Sequence, residues 1–271
     1  MKFVDATLAR QLEASEDEAQ LAIAAVLQRS QPEVSAEVFT IGDGHAVFAG
    51  KNSPVGRTIG FGFAAPVTAA DIDKVEAFYA AHSAPAQFDV TPLQHESLTT
   101  LLHERGYSMS ELNNVMARSI GPGETWAGDA DGIEFRVCSP DQAELWTDTM
   151  LRGFFPGGDI PSGWDKLLMP MAQLSNGMPT IAWADGKPVA AFGGLICREW
   201  KLLMLGGTST SPEYRGRGIQ TAAIGQRLAI GVREGCDLAV VVTRGGTTSQ
   251  RNAERMGFTL AYSKATLVQR K

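Results

Sequence analysis

A chain of 271 residues is long enough for one large domain or for two of about 130 residues each, and either can bury a real core. Hydrophobic residues at 44%, charged residues at 20% and a mean hydropathy of -0.07 describe an ordinary globular chain, and no apolar run approaches the roughly 20 residues of a bilayer span. A formal charge of -6 with a pI near 5.3 argues against a surface that neutralises many phosphates, so neither nucleic acid nor a membrane is expected as a partner.

The opening residues, Met1 to Asp5, put an acid where an export signal is apolar, so no such signal is expected. Leu21, Ala24, Ala25 and Gln28 recur at helical spacing and predict a helix over 15–29. Short strands follow near 36–41, 45–50 and 57–63, then a helix over 68–82, a strand over 86–91, a helix over 95–105 and strand through 107–119. The stretch from Ile120 to Gly132 has a proline, four glycines and no recurring apolar face, and reads as a linker over 120–131. Beyond it the pattern predicts a strand over 133–138, helices near 140–151 and 163–174, and strands over 179–184, 187–197 and 201–209. A helix over 218–234, a strand over 237–243, a helix over 248–256 and a last strand over 258–269 complete the chain.

The two halves repeat one order of elements, which divides the chain into domains at 1–119 and 132–271. Arg105-Gly106-Tyr107 matches Met256-Gly257-Phe258, each glycine closing a helix in the left-handed position that lacks a Cβ penalty. The three cysteines, Cys138, Cys197 and Cys236, form no C-x-x-C pair and read as buried thiols of a reducing, cytoplasmic compartment. All four histidines lie in the first half, so a histidine triad or an H-E-x-x-H metal site within the second half is ruled out, and no metal is expected.

Chemistry enters after strand 201–209, where Ser211-Pro-Glu-Tyr-Arg-Gly-Arg-Gly-Ile-Gln220 leads straight into a helix. Backbone N–H groups at a helix start point outward unpaired, and glycines let an anion approach them. Arg215 and Arg217 add full charge, which suits a pyrophosphate. The alternative is a solvated basic turn whose glycines serve geometry alone. In the first half the matching place carries Thr68 with Asp71 three residues on, a capping box that satisfies its own donors and presents carboxylate.

The turn resembles the acetyl-CoA signature of the GNAT N-acetyltransferase superfamily, Gln/Arg-x-x-Gly-x-Gly/Ala, in the register Arg215-Gly216-Arg217-Gly218-Ile219-Gln220. Gln220 departs from it, standing where the family has Gly or Ala. The resemblance covers 132–271 well and the first half only by element order. It implies an α/β fold of two tandem GNAT-like domains, each a mixed, mostly antiparallel sheet flanked by helices, the N-terminal one degenerate and without a CoA loop. Two copies in one chain would imitate the homodimer of many relatives, so a monomer or a homodimer is expected. The resemblance also implies that amides from Arg215 to Gln220 hold the pyrophosphate, that Thr208, Ser209 and Thr210 hydrogen-bond the pantetheine arm, and that strands 201–209 and 237–243 splay apart.

In this superfamily a tyrosine acid often sits on the last short helix; counting back from Gly257-Phe258, its position here is Ala253. Tyr262 then stands as a candidate acid, or as a half-buried aromatic on an alternating strand. Ser249 and Asn252 are candidates for contact with the cofactor sulfur or pantetheine, or else a helix cap and an exposed polar side chain. The loop from Gly153 to Trp164 has three aromatics and suits an adjustable apolar lid, with Phe154, Phe155 and Trp164 touching substrate or merely packing. Asp159 is a candidate amine anchor or base, against simple solvation. The function expected is direct acetyl transfer from acetyl-CoA to a small-molecule amine, with a non-catalytic acyl-CoA-binding or sensor module as the alternative.

Overall fold

The computed structural model describes residues 3–51, 53, 55–126, 130–161 and 163–269. In chain order the first elements are α1 (Ala6–Ser30), β1 (Glu37–Ile41), β2 (Gly44–Phe48), β3 (Thr58–Ile59), α2 (Ala69–Ala81), β4 (Gln87–Val90), α3 (Glu96–Glu104) and β5 (Tyr107–Ser119). They are followed by β6 (Glu134–Val137), α4 (Ala143–Phe154), α5 (Trp164–Ala172), β7 (Thr180–Ala184), β8 (Lys187–Cys197), β9 (Leu202–Thr210), α6 (Ile219–Arg233), β10 (Leu238–Arg244), α7 (Thr248–Arg255) and β11 (Thr259–Gln269). Contacts gather the chain into two compact units, one from the described parts of 2–115, 243–245 and 260–271, the other from 116–242 and 246–259. Both are α/β, with mixed, mostly antiparallel strands flanked by helices.

In the first unit the strand order is β1-β2-β3-β4-β11-β5. The C-terminal strand β11, expected with the second half, pairs antiparallel with β4 from Ala265 opposite Val90 to Val268 opposite Gln87. Ile72, Val75 and Tyr79 of α2 and Leu98 and Leu102 of α3 bury against Phe88 and Tyr107, as expected from apolar residues three and four apart on each helix. Helix α1 begins nine residues before its predicted start, because Asp5 accepts from the Leu8 amide at 2.9 Å and caps it there. Its buried face includes Glu13, Ser15 and Gln20, and these polar residues interrupt the apolar stripe by which a helix is read.

Those residues meet buried partners. Lys264, 2% exposed, lies 3.1 Å from Glu13 and 3.4 Å from Asp89 and also pairs with Glu16. Arg57 reaches Asp89 at 3.3 Å, and Gln20 accepts from the Gly56 and Arg57 amides at 2.9 and 2.8 Å. Burial pushes the Glu13 carboxyl up to about 7 despite Lys264. Burial acts the same way on Asp89, but Lys264 and Arg57 outweigh it and hold that carboxyl below its usual range.

The second unit has the order β10-β9-β8-β7-β6. β10 and β9 are parallel, from Leu238 opposite Leu202 to Val241 opposite Leu205, and β9 then continues five residues beyond the last pair to Thr210. Helix α6 presses its Ala222, Ala223, Ile224 and Leu228 side onto this sheet. Of the stretch expected as a linker, Ile120 is anchored by its amide on the Asp237 carbonyl at 3.0 Å, and Trp126 packs on the core with Arg118 over its ring. Residues 127–129 of that stretch lie outside the described residues. Among the described residues the cysteines form no disulfide; Cys197 and Cys236 are buried, whereas Cys138 is only half-buried, a correction to its expected burial.

Candidate functional site

The site is built where β9 outruns its partner. The β8–β9 register shifts between Phe192 and Gly193, which oppose Thr208 and Gly206, so Gly207 is an extra residue bulged from the ladder. Its φ of 48° is the left-handed value that favours glycine. The bulge carbonyls are held from the side: the Trp146 indole donates to the Phe192 carbonyl at 3.0 Å, and the buried Arg227 guanidinium donates to the Gly193 carbonyl. Gly153, in the last turn of α4, permits close approach from the same side, since a Cβ there would fall 2.5 Å from the Ser209 hydroxyl oxygen.

After Thr210 a short 3-10 turn, Pro212–Tyr214, delivers the chain to Arg215-Gly216-Arg217-Gly218. Gly216 and Gly218 take φ of 78° and 74°, and a Cβ on either would meet nothing within 4 Å, so backbone conformation and not crowding requires glycine there. Gly218 is the N-cap of α6; among the described residues no side chain caps this helix, and its first turn has no acid. The outward amides are therefore left to a ligand or to solvent.

The first unit does the reverse at the corresponding place between β3 and α2. Asp43 accepts from the amides of Gly62, Phe63 and Ala64 at 2.8, 2.9 and 2.7 Å. Three successive N–H groups thus hold an internal carboxylate. The start of α2 carries the expected Thr68–Asp71 capping box.

A groove of about 550 Å³ runs from the end of β9 past the turn to α7. It brings together Thr208, Ser209, Thr210, Arg215, Gly216, Gly218, Ile219 and Gln220 with Phe154, Ser249 and Asn252, all candidates from the sequence. Arg217 does not line it: its guanidinium stacks 4.7 Å over the Tyr214 ring. Arg215 is already engaged, donating to the Gly153 carbonyl at 2.8 Å and the Thr210 carbonyl at 3.0 Å. It staples α4 to the end of β9 as well as adding charge. Ser209 is buried and its hydroxyl donates to the Thr149 carbonyl at 3.4 Å, leaving its backbone to the groove.

On α7 the cap is Thr247, which accepts from the Gln250 amide, so Ser249 is not a cap. Asn252, expected to be exposed if it had no ligand role, is buried and donates to Gln220 at 2.7 Å. Gln220 in turn donates to the Ser249 hydroxyl at 3.3 Å. Ala253, at the position of the superfamily tyrosine, is fully buried.

Tyr262 is not brought to this groove. It lies on β11 in the first unit, 6% exposed, and donates to Glu13 at 2.9 Å. Burial, then the neighbouring carboxylates, push its hydroxyl far above the ordinary phenol range, which corrects its candidacy as the acid. Phe155 and Trp164 pack edge to face at 5.0 Å. Phe155 also borders a second cavity of about 480 Å³ with Arg152, Lys187 and Tyr214. Asp159 is exposed and lines neither cavity; Ser162 of the same loop lies outside the described residues. Sequence reasoning missed Gly153, Trp146, Arg227 and Arg255, the last of which borders the groove beside Asn252. Only the three-residue step from Asn252 to Arg255 along one helix pointed to any of them. No group of three or more His, Cys, Asp or Glu suited to a metal occurs among the described residues, and no described helix is long and apolar enough to cross a membrane.

Residues 144–258, which hold this whole groove, match the acetyltransferase (GNAT) family. A GCN5-related N-acetyltransferase from Kribbella flavida is similar in structure over 92% of this chain and 95% of its own, with a TM-score of 0.62 and 17% identity. A tandem GNAT protein from the clavulanic acid biosynthesis pathway is similar over 96% of this chain and 93% of its own, with a TM-score of 0.61 and 11% identity. A GNAT-family acetyltransferase from Colwellia psychrerythraea covers 89% of this chain at a TM-score of 0.53 and 12% identity, with 87% of its own length matched. No curated protein matched the chain. The chain resembles a GNAT-superfamily acetyltransferase fold.

Proposed function

We propose that the second unit binds acetyl-CoA and transfers its acetyl group directly to a small amine, and that the first unit is a degenerate copy that binds none. The observation carrying this is the uncapped start of α6, reached by a glycine turn at the end of a strand that has left its parallel neighbour. A pyrophosphate fits there: the first-turn amides lack capping side chains, no acid opposes it, and Arg215 stands beside the turn. Acetyl-CoA supplies an activated thioester. The backbone of Thr208 to Thr210, freed from strand pairing on one side, offers donors and acceptors to the pantetheine amides.

The bulge at Gly207, held by Trp146 and Arg227 acting on the neighbouring strand, fixes the direction of those backbone groups before any ligand arrives. Preorganised amides and a positioned acceptor carry most of the rate in such a site. Phe154 on the groove forms the apolar wall of the acceptor side, while Phe155 and Trp164 pack on one another in the same segment; Asp159, outside both cavities, is given no role in holding the amine. The Asp43 carboxylate already sits on the first unit's amides, which supports one cofactor per chain.

Calorimetric titration with acetyl-CoA and with CoA tests this. One site per chain at micromolar affinity is expected; absence of heat from either ligand overturns the proposal, and two sites overturn the assignment of the first unit. The sensor reading draws on two facts: Ala253 stands where the superfamily places its phenol, and the strand over 201–209 has no carboxylate to serve as base. Thiol release from acetyl-CoA across a panel of small amines separates the two readings, since a sensor shows binding without turnover.

A further inference from the structure

We propose that Ser249 is the hydrogen-bond donor to the departing sulfur, and that Arg255, Asn252 and Gln220 form a one-way chain that aims its proton into the groove. This rests on the groove being an acetyl-CoA site and goes beyond it by assigning a group to the leaving atom.

Donor and acceptor arithmetic sets the direction. A guanidinium only donates, so the Arg255 contact at 3.5 Å fixes the carbonyl oxygen of the Asn252 side chain toward Arg255. The Asn252 amide nitrogen must then face Gln220, and it donates to the Gln220 carbonyl oxygen at 2.7 Å. That leaves the Gln220 amide nitrogen facing Ser249, to whose oxygen it donates at 3.3 Å. With its oxygen accepting from Gln220, Ser249 keeps its own O–H to give. No group among the described residues takes that proton. Each link also polarises the next, which strengthens the final donor.

Position agrees with polarity. Ser249 precedes Ala253 by one helical turn, so both occupy one face of α7, and Ser249, Asn252 and Gln220 all line the groove. Gln220 stands where the family motif has Gly or Ala, and only a longer side chain spans from α6 to α7. The departure in the motif and the absent phenol are therefore explained together. In the transfer step the acceptor nitrogen's lone pair forms the new C–N bond and the C–S bond breaks with its electron pair remaining on sulfur. Ser249 shares its proton with that sulfur without releasing it, and the acceptor nitrogen loses its proton to water.

The test needs no acceptor. CoA is bound at saturation to the full chain, and its thiol is titrated through the ultraviolet absorbance of the thiolate. A donor aimed at sulfur stabilises the thiolate, so in the wild type the bound thiol ionises at lower pH than free CoA. Ser249→Ala is expected to weaken the bound thiol's acidity about tenfold, in keeping with a hydrogen bond to a charged group. Ser249→Thr restores it, and Gln220→Ala, which leaves the hydroxyl unaimed, falls between. Identical thiol ionisation in wild type and Ser249→Ala, with CoA bound to both, overturns the proposal while leaving the acetyl-CoA reading intact. Failure of the wild type to bind CoA defeats that reading and this one with it.

Discussion

Removing the ammonium of Lys264 probes the polar packing of α1 most directly. Lys264→Met leaves Glu13, 2% exposed, and Asp89, 1% exposed at its side chain, without the cation that lies 3.1 and 3.4 Å from them. Asp89 retains Arg57 at 3.3 Å, whereas among the described residues Glu13 retains no cation and keeps the Tyr262 hydroxyl at 2.9 Å. Breaking one side of a buried ion pair costs about 3–5 kcal/mol. The cost depends on pH, and Glu13 sets the sign. Its carboxyl is raised from 4.5 to about 7 in the folded chain, so the stability it contributes is full below its unfolded value and is lost as pH rises through 7. Without Lys264 it rises further, each added unit being worth about 1.4 kcal/mol. The variant should therefore be most destabilised near pH 8 and should recover toward pH 6, as Glu13 takes up a proton.

Urea unfolding followed by far-ultraviolet circular dichroism at both pH values measures this. The five tryptophans, Trp126, Trp146, Trp164, Trp183 and Trp200, all belong to the second unit, so their fluorescence reads that unit separately. The pH-dependent part of the loss should be relieved by Glu13→Gln in the Lys264→Met background. A cost below about 1 kcal/mol at pH 8, or one that does not fall at pH 6, would refute the reasoning.

Three further outcomes follow from the geometry. Gly218→Ala forces a left-handed backbone on a residue with Cβ, costing roughly 1–2 kcal/mol by thermal melt, and should weaken CoA binding at least about tenfold by calorimetry because the cradle amides turn away. Arg215→Ala should weaken CoA binding and also destabilise the second unit by about 1–3 kcal/mol, seen in tryptophan fluorescence, because the Gly153 and Thr210 carbonyls lose a charged donor. Asp43→Ala strips three amides of their acceptor and should destabilise the first unit by about 2–4 kcal/mol, seen in tyrosine near-ultraviolet dichroism, with the CoA stoichiometry unchanged.

Arg227→Met tests a buried charge of the opposite kind. Arg227 is 1% exposed, burial lowers its guanidinium to about 9, and one of its nitrogens has no hydrogen-bond partner among the described residues. A depressed cation contributes stability at pH above its unfolded value and loses it as pH falls through 9, so at neutral pH its charge is a burden. The variant should unfold within about 1 kcal/mol of wild type at pH 7, although the residue is fully buried. A loss above about 3 kcal/mol would show that its bond to the Gly193 carbonyl dominates.

Most of what can be read along one chain was legible in this sequence. The elements of the second half fall within a few residues of their predicted ends, because each is bounded by local punctuation such as Gly218 before α6 and Gly257 after α7. The glycine-arginine turn was legible for the same reason: an uncapped helix start needs only neighbours in sequence. Helix α1 was half hidden, since burying Glu13 and Gln20 is reasonable only once Lys264 and the Gly56 amide, distant in sequence, are in place.

Tertiary structure alone decided the remainder. It carried β11 to β4, and with it Tyr262 to Glu13 and away from the groove. It turned Arg215 onto two carbonyls, seated Asp43 on the first unit's amides and linked Gln220 to α7. Each of these is a polar contact between residues at least five and as many as 249 positions apart. Local propensity fixes which backbone groups are left unpaired. Which side chain reaches them, or leaves them for a ligand, depends on distances that exist only after the sheet has formed.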